Sequence, residues 1–279
     1  METDVTYDSD GVRLAATFYA KDDGAGKMPG IVLGHGFAGA RYPKMSAYLA
    51  NLGYGVLSID FRGYGLSGGE RGRVIPSEQV NDFRNSVTYL ASRPEIDPER
   101  IGIIGSSLGG SIAIMAAADD PRIQVCVAGC PIAKGDTTLR MLYNTQEKFS
   151  AFMQRVDELK QRNEKLARFE IVMIPENLRS NLPKGTPMEF SPDTVHGFLS
   201  LNPLEVVSRI GPRPLFVIHA KDDHVVPYED AEELVKRAGP NCKLELIDKG
   251  DHFIFGMDTV IQSISEWLLA HFPPKVTRS

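Results

Sequence analysis

The chain has 279 residues, 42% of them hydrophobic and 24% charged, with a formal net charge of −5. That profile excludes a disordered or fibrous protein, and a domain of this length buries roughly 75% of its unfolded surface without disulfides or metal. With 36 acidic against 31 basic residues and no Lys/Arg block, the footprint of nucleic-acid and anionic-membrane binders is missing.

Apolar, β-branched runs bounded by turn residues predict strands at Asp4–Asp8, Val12–Tyr19, Gly30–Gly34, Gly55–Ile59, Ile101–Gly105, Gln124–Gly129, Pro214–His219 and Lys243–Ile247. The first two flank a Ser9-Asp10-Gly11 turn and read as a hairpin. Helix-length segments separate the later ones, and those runs are continuously apolar, as parallel strands covered on both faces require. The fold class is therefore α/β: an eight-stranded, mostly parallel sheet with an antiparallel N-terminal strand and helices on both faces.

Between the sixth and seventh strands the intervening stretch is far longer than a crossover needs. Within it, Thr145–Glu170 carries Phe149, Phe152, Met153, Val156 and Leu159 at helical spacing, which predicts one amphipathic helix whose apolar stripe is expected to dock it on the body, with a substrate-lining role as the alternative. Pro175, Pro183, Pro187 and Pro192 punctuate the rest of the stretch. Residues 134–200 are expected to be a cap or lid inserted into a core formed by 1–133 and 201–279, and Pro273–Ser279 a polar tail.

No run approaches the eighteen or so apolar residues of a membrane-spanning helix. Met1–Gly11 is acidic where a secretory signal is basic then apolar, so a cytoplasmic location is expected. Cys126, Cys130 and Cys242 are too few and odd in number for a disulfide framework, a lone C-x-x-x-C with no second ligand pair is poor evidence for zinc, and the three read as small buried hydrophobes.

Gly105-Ser106-Ser107-Leu108-Gly109 matches the G-x-S-x-G elbow, in which a serine stands clear of a tight strand-to-helix turn. A second match surrounds Ser67, but it follows no strand directly and starts no helix, so Ser67 reads as loop structure. Serine is a weak nucleophile until a base takes its proton, so a histidine oriented by a carboxylate is needed downstream. The Asp222-Asp223 pair follows the seventh strand and Gly250-Asp251-His252 the eighth, which makes His252 the base. His196, His219, His224 and His271 read as structural or surface residues. His35-Gly36-Phe37 follows the third strand, where the backbone N–H groups of Phe37 and Leu108 would form an oxyanion hole.

With these motifs and D-F-R-G-Y-G-L-S at Asp60 and D-H-V-V-P at Asp223, the chain resembles the α/β-hydrolase superfamily over nearly its whole length, in particular the dienelactone hydrolase, cocaine esterase and prolyl oligopeptidase groups. In those groups the acid is followed four residues later by proline, which implies Asp223, with Pro227, over Asp222; Asp251 adjoins His252 on the same loop, from where a side chain points poorly for the Nδ1 bond. The resemblance implies an acyl-enzyme mechanism on Ser107, His252 and Asp223 with no cofactor and no metal. It implies a carboxylic-ester hydrolase acting on small acyl or aryl esters. An acyltransferase or thioesterase using the same triad, a carbon–carbon bond hydrolase and a non-catalytic binding protein are the alternatives. Arg62 is expected to be chiefly architectural. The expected partner is a small-molecule ester or acyl substrate, with no nucleic acid and no membrane; the reading also admits a homodimer.

Overall fold

The computed structural model describes residues 1–21, 26–37, 39–143, 145–171 and 186–274. The chain opens on β1 (Glu2–Ser9) and β2 (Val12–Tyr19), reversed through Asp10 and Gly11, both at positive φ. Strands and helices then alternate as β3 (Met28–Gly34), α1 (Pro43–Asn51), β4 (Gly55–Asp60), α2 (Pro76–Ala91), β5 (Ile96–Ser106), α3 (Leu108–Asp119) and β6 (Ile123–Gly129). A long excursion holds α4 (Gly135–Met141), α5 (Gln146–Arg162), β7 (Leu166–Ala167), β8 (Glu189–Phe190) and α6 (Pro192–Ser200). The chain returns through β9 (Leu215–Ala220), α7 (Tyr228–Ala238), β10 (Cys242–Ile247) and α8 (Asp258–His271).

All eight expected strands lie in one sheet, ordered β1-β2-β4-β3-β5-β6-β9-β10. Only β2 runs against its neighbours, β1 and β4; every pairing from β4 to β10 is parallel. The antiparallel strand is thus one in from the edge. Alternation along each strand divides the core in two: Val32, Leu57, Ile103 and Val217 join the cluster holding Phe83 of α2, Ile112 of α3 and Leu234 of α7. Ile31, Leu33, Val56, Ile104 and Phe216 join Leu49 of α1 and Ile264 and Leu268 of α8 on the opposite face. Each such buried side chain contributes about 1.5–3 kcal/mol, so a one-residue register slip is strongly disfavoured.

The single helix expected over Thr145–Glu170 is shorter. α5 ends at Arg162 because Asn163 takes the left-handed conformation at φ 55°, a helix-stopping role asparagine fills readily. Leu166–Ala167 then pairs antiparallel with Glu189–Phe190, and Arg168–Glu170 make a 3-10 turn. The two-residue strands β7 and β8 are too short to leave a period in the sequence. Phe149, Phe152 and Val156 are buried and Met153 and Leu159 lie half-buried against them, so the stripe docks the helix as expected. Pro175, Pro183 and the last five residues of the chain lie outside the described residues. Among the described residues no helix is long and apolar enough to cross a membrane.

Candidate active site

Parallel strands bring their carboxyl ends to one edge of a sheet, and β3, β5, β9 and β10 end there, each followed by one of the loops singled out above. Ser107 sits between β5 and α3 at φ 55° and ψ −125°, a conformation that costs a non-glycine residue about 1–3 kcal/mol. The turn is tight enough that a Cβ on Gly105 would collide with the Gly109 carbonyl, so only glycine fits. Helix α3 beyond it is almost wholly apolar, and all of its residues from Leu108 to Ile114 are buried, which anchors the turn.

His252 Nε2 lies 2.7 Å from Ser107 Oγ, and its Nδ1 lies 2.7 Å from Asp223 Oδ2. Ser107 and His252 are 9% and 8% exposed, open to a small molecule yet largely shielded from bulk water. Asp223 Oδ1 accepts the N–H groups of Val225 and Val226 at 2.8 and 2.9 Å. Burial pushes the Asp223 carboxyl up, but the charge of His252 and the hydrogen bonds from His219, His252 and Val226 outweigh it and hold the group far below the usual carboxylate range. Of the three aspartates weighed from the sequence, Asp223 is the one that meets His252. Asp222 is exposed, and Asp251 accepts the N–H of Phe253 in a local turn.

His219, read from the sequence as a strand residue, is a fully buried second neighbour of the acid. Its Nε2 lies 3.2 Å from Asp223 Oδ2 and 3.0 Å from the Val226 carbonyl. Both are acceptors, so Nε2 carries the proton, while Nδ1 is buried without a partner. The four-residue offset from His219 to Asp223 is the signal that could have found it: the last turn off a strand folds back on the strand's end.

The loop after β3 lies against Ser107. A Cβ on Gly36 would meet Ser107 Cβ at 2.8 Å and the Ser106 carbonyl at 3.0 Å. His35 is buried and its Nε2 accepts the N–H of Phe61 at 3.1 Å, so Nδ1 is the donor, to the Gly36 carbonyl at 2.8 Å. Burial lowers the His35 pKa and keeps the ring neutral in that role. Gly36 O also accepts from Gly39 N at 3.1 Å. A trans peptide points its N–H opposite its carbonyl, so these bonds turn the Phe37 N–H away from His35 and Gly39. Leu108 is the first residue of α3, where an N–H has no acceptor within the helix.

A cavity of about 120 Å³ opens beside Ser107 and His252. Its wall is mostly apolar: Phe37, Ile132, Val225 and Val226 come from the loops around the sheet, and Leu139, Leu142, Ile171 and Phe198 from the segment between β6 and β9. The aromatic and Met stripe of α5 takes no part in this lining.

The remaining sequence candidates have structural partners. Ser67 Oγ donates to the Asp60 carbonyl and accepts from Ala15 N. Arg62 forks onto Asp82, with Nη2 to Oδ1 at 2.7 Å. His196 faces Asp157 and His271 the Trp267 carbonyl, while His224 is exposed. Cys126 and Cys130 are buried and Cys242 is partly so. Cys130, His219 and Asp223 bring one ligand atom each within 4.8 Å of one another. That carboxylate is committed to two histidines and two backbone N–H groups, and burial pushes the thiol well above its ordinary pKa, against the thiolate a metal requires.

A family model described as alpha/beta hydrolase fold matches residues 29–258. The chain is 28% identical over 257 residues to an uncharacterized 31.7 kDa protein in the traX-finO intergenic region of Escherichia coli, covering 87% of this chain and 88% of that protein. It is 28% identical over 256 residues to thiohydrolase apmlB of Arthrinium phaeospermum, covering 80% of each. Among solved structures, DcsB in complex with its substrate analogue aligns at a TM-score of 0.85, over 98% of this chain and 99% of that one, at 21% identity. A family match across most of the chain, on this sheet order and with the elbow serine at the carboxyl edge, makes the protein a member of the alpha/beta hydrolase fold family and, at that level of description, a hydrolase.

Proposed function

We propose that the protein hydrolyses carboxylic esters through an acyl-enzyme on Ser107. The observation that carries this reading is the unbroken relay from Asp223 through His252 to Ser107, with both links at 2.7 Å and its nucleophile at the wall of a small apolar cavity. In this scheme Ser107 Oγ attacks the acyl carbon while His252 Nε2 takes its proton. Asp223 holds the Nδ1–H tautomer and balances the imidazolium that forms. The backbone N–H groups of Phe37 and Leu108 receive the negative charge on the carbonyl oxygen. Collapse expels the alcohol with the proton from His252; water then attacks the acyl carbon with His252 again the base, releasing acid and free Ser107.

Residues 134–200 act as a cap over a core of 1–133 and 201–279, and Leu139, Leu142, Ile171 and Phe198 are the support for that division, since they close the cavity from outside the sheet. A cavity of this size and polarity favours a short apolar acyl group. The 28% likeness to a thiohydrolase supports a second reading, in which the leaving group is a thiolate.

Time courses with p-nitrophenyl esters from acetyl to decanoyl and with matched acyl thioesters, on wild type and Ser107→Ala, test both readings. Sustained ester turnover lost by at least about 10³-fold in the variant is expected. Thioesters preferred more than about tenfold would select the second reading, and a burst that stalls would select transfer to another acceptor. Full turnover by Ser107→Ala would refute the mechanism.

A further inference from the structure

Arg168 enters the site from the segment between β6 and β9, and its side chain heads the fully buried ones by volume, at 1% exposure. Buried arginines ordinarily face a carboxylate, because an uncompensated charge away from water is expensive. Among the described residues Arg168 makes no such ion pair. Its Nη2 donates to the Phe37 carbonyl at 2.9 Å and its Nη1 to the Pro187 carbonyl at 2.9 Å, while Nε is buried without a partner. Its own backbone N–H donates to the Met188 carbonyl at 2.8 Å, tying it to the β7–β8 pair.

The surroundings hold the guanidinium in this place. It lies over the Phe37 ring at 4.8 Å and the Phe190 ring at 5.5 Å, and those rings stack at 4.4 Å with 20° between their planes. Phe198 meets Phe37 edge-on at 5.2 Å. Burial lowers the Arg168 pKa to about 10, which leaves it charged at neutral pH. A charged donor is roughly twice as strong as a neutral one, and the Tyr64 hydroxyl adds a second bond to the same Phe37 carbonyl at 3.2 Å.

We infer that Arg168 is a positioning residue for the hydrolytic reaction: its hydrogen bond to the Phe37 carbonyl, together with its seat over the Phe37 ring, sets the orientation of the Phe37 backbone and so the aim of the Phe37 N–H at the reacting carbonyl oxygen. The inference rests on the proposed role of Phe37 as an oxyanion donor. His35 and Gly39 hold the peptide before Phe37 by its carbonyl, and Arg168 and Tyr64 hold the peptide after it. With both flanking peptides pinned, the Phe37 N–H needs no reorganisation when charge develops, which is the condition for strong transition-state stabilisation. The segment between β6 and β9 thereby contributes to catalysis as well as to cavity shape.

Arg168→Met and Arg168→Lys, compared with wild type and Ser107→Ala, test this. The readouts are kcat and KM for p-nitrophenyl butyrate, the rate at which a p-nitrophenyl phosphonate labels Ser107, and Tm. An interaction acting on the transition state lowers kcat and leaves KM in place. Misaiming one oxyanion donor is expected to cost about 10–100-fold in kcat for Arg168→Met, with KM within about threefold and labelling slowed by the same factor. Arg168→Lys keeps the charge but not the fork, and should fall between the two. Arg168→Met within about twofold of wild-type kcat overturns the inference. So does a loss confined to KM for esters bearing a carboxylate, which would make Arg168 a substrate anchor. If Arg168→Met does not fold, Arg168→Lys decides: wild-type kcat overturns the inference, and a tenfold fall at unchanged KM supports it. Turnover surviving in Ser107→Ala would instead refute the underlying mechanism, independently of either arginine variant.

Discussion

Asp223→Asn is isosteric, yet the hydrogen bonds around this carboxylate dictate which way the amide turns. Oδ1 accepts from Val225 N and Val226 N at 2.8 and 2.9 Å, so the asparagine oxygen must occupy that position and its NH2 the position of Oδ2. The NH2 then faces His252 Nδ1, 2.7 Å away, and His219 Nε2, 3.2 Å away. To accept from it, His252 must lose its Nδ1 proton and carry it on Nε2, aimed at Ser107, where it can no longer take the serine proton. His219 faces the same conflict, and resolves it only by moving its proton to the orphaned Nδ1 and abandoning the Val226 carbonyl. The expected loss in kcat is about 10⁴-fold, or about 5.5 kcal/mol of barrier, with little change in KM. Steady-state hydrolysis of p-nitrophenyl acetate, normalised by titration of folded protein and run from pH 6 to 10, measures it. Asp222→Asn serves as the control, since Asp222 is exposed. Activity of Asp223→Asn within tenfold of wild type, or a larger loss in Asp222→Asn, would refute the reasoning.

Three further outcomes are expected. His219→Leu removes one donor to Asp223 and should lower kcat by about tenfold, the worth of a hydrogen bond to a charged group, while Asp222→Asn stays at wild-type activity; an unchanged kcat contradicts this. Gly36→Ala places a methyl 2.8 Å from Ser107 Cβ, so the loop or the elbow must shift, and kcat should fall by about 10² even if Tm holds. Asp230 accepts Ala133 N at 2.8 Å, and burial raises its carboxyl to about 6. Between the unfolded value of about 3.9 and that folded value the native state binds more protons than the unfolded one, so this group makes stability fall as pH rises through that window. Asp230→Asn, neutral throughout, should therefore raise Tm by about 2–4 °C at pH 8, equivalent to about 1 kcal/mol after discounting for partial exposure, and leave it unchanged at pH 4. Equal Tm values at pH 8 contradict the assignment.

Asp223 shows where reading the sequence needed help. Ser107 and His252 are legible from contiguous residues, because each sits in a short loop directly after an apolar run whose register determines which way the loop projects. The choice between Asp222 and Asp223 needed a family spacing, since adjacent carboxylates on a loop differ only in direction. The inner parallel strands were readable for the same local reason: burial on both faces leaves nearly uninterrupted apolar runs, while β1 and β10, half-exposed at the two edges, mix apolar with polar residues.

The sequence by itself therefore determined the sheet, the order of the site loops and the placing of Ser107 and His252 in two of them. Tertiary structure alone decided that α5 stops at Asn163, that His219 shares Asp223 with His252, that His35 turns the Phe37 peptide, and that Arg168 reaches the Phe37 carbonyl from 131 residues away. The difference is physical. Strand patterns and elbow turns are set by interactions within a few residues and so repeat in any chain that uses them. A hydrogen bond between a buried guanidinium and one particular carbonyl depends on both groups being placed within about 3 Å by the packing of everything between them, and that packing leaves no periodic trace along the chain.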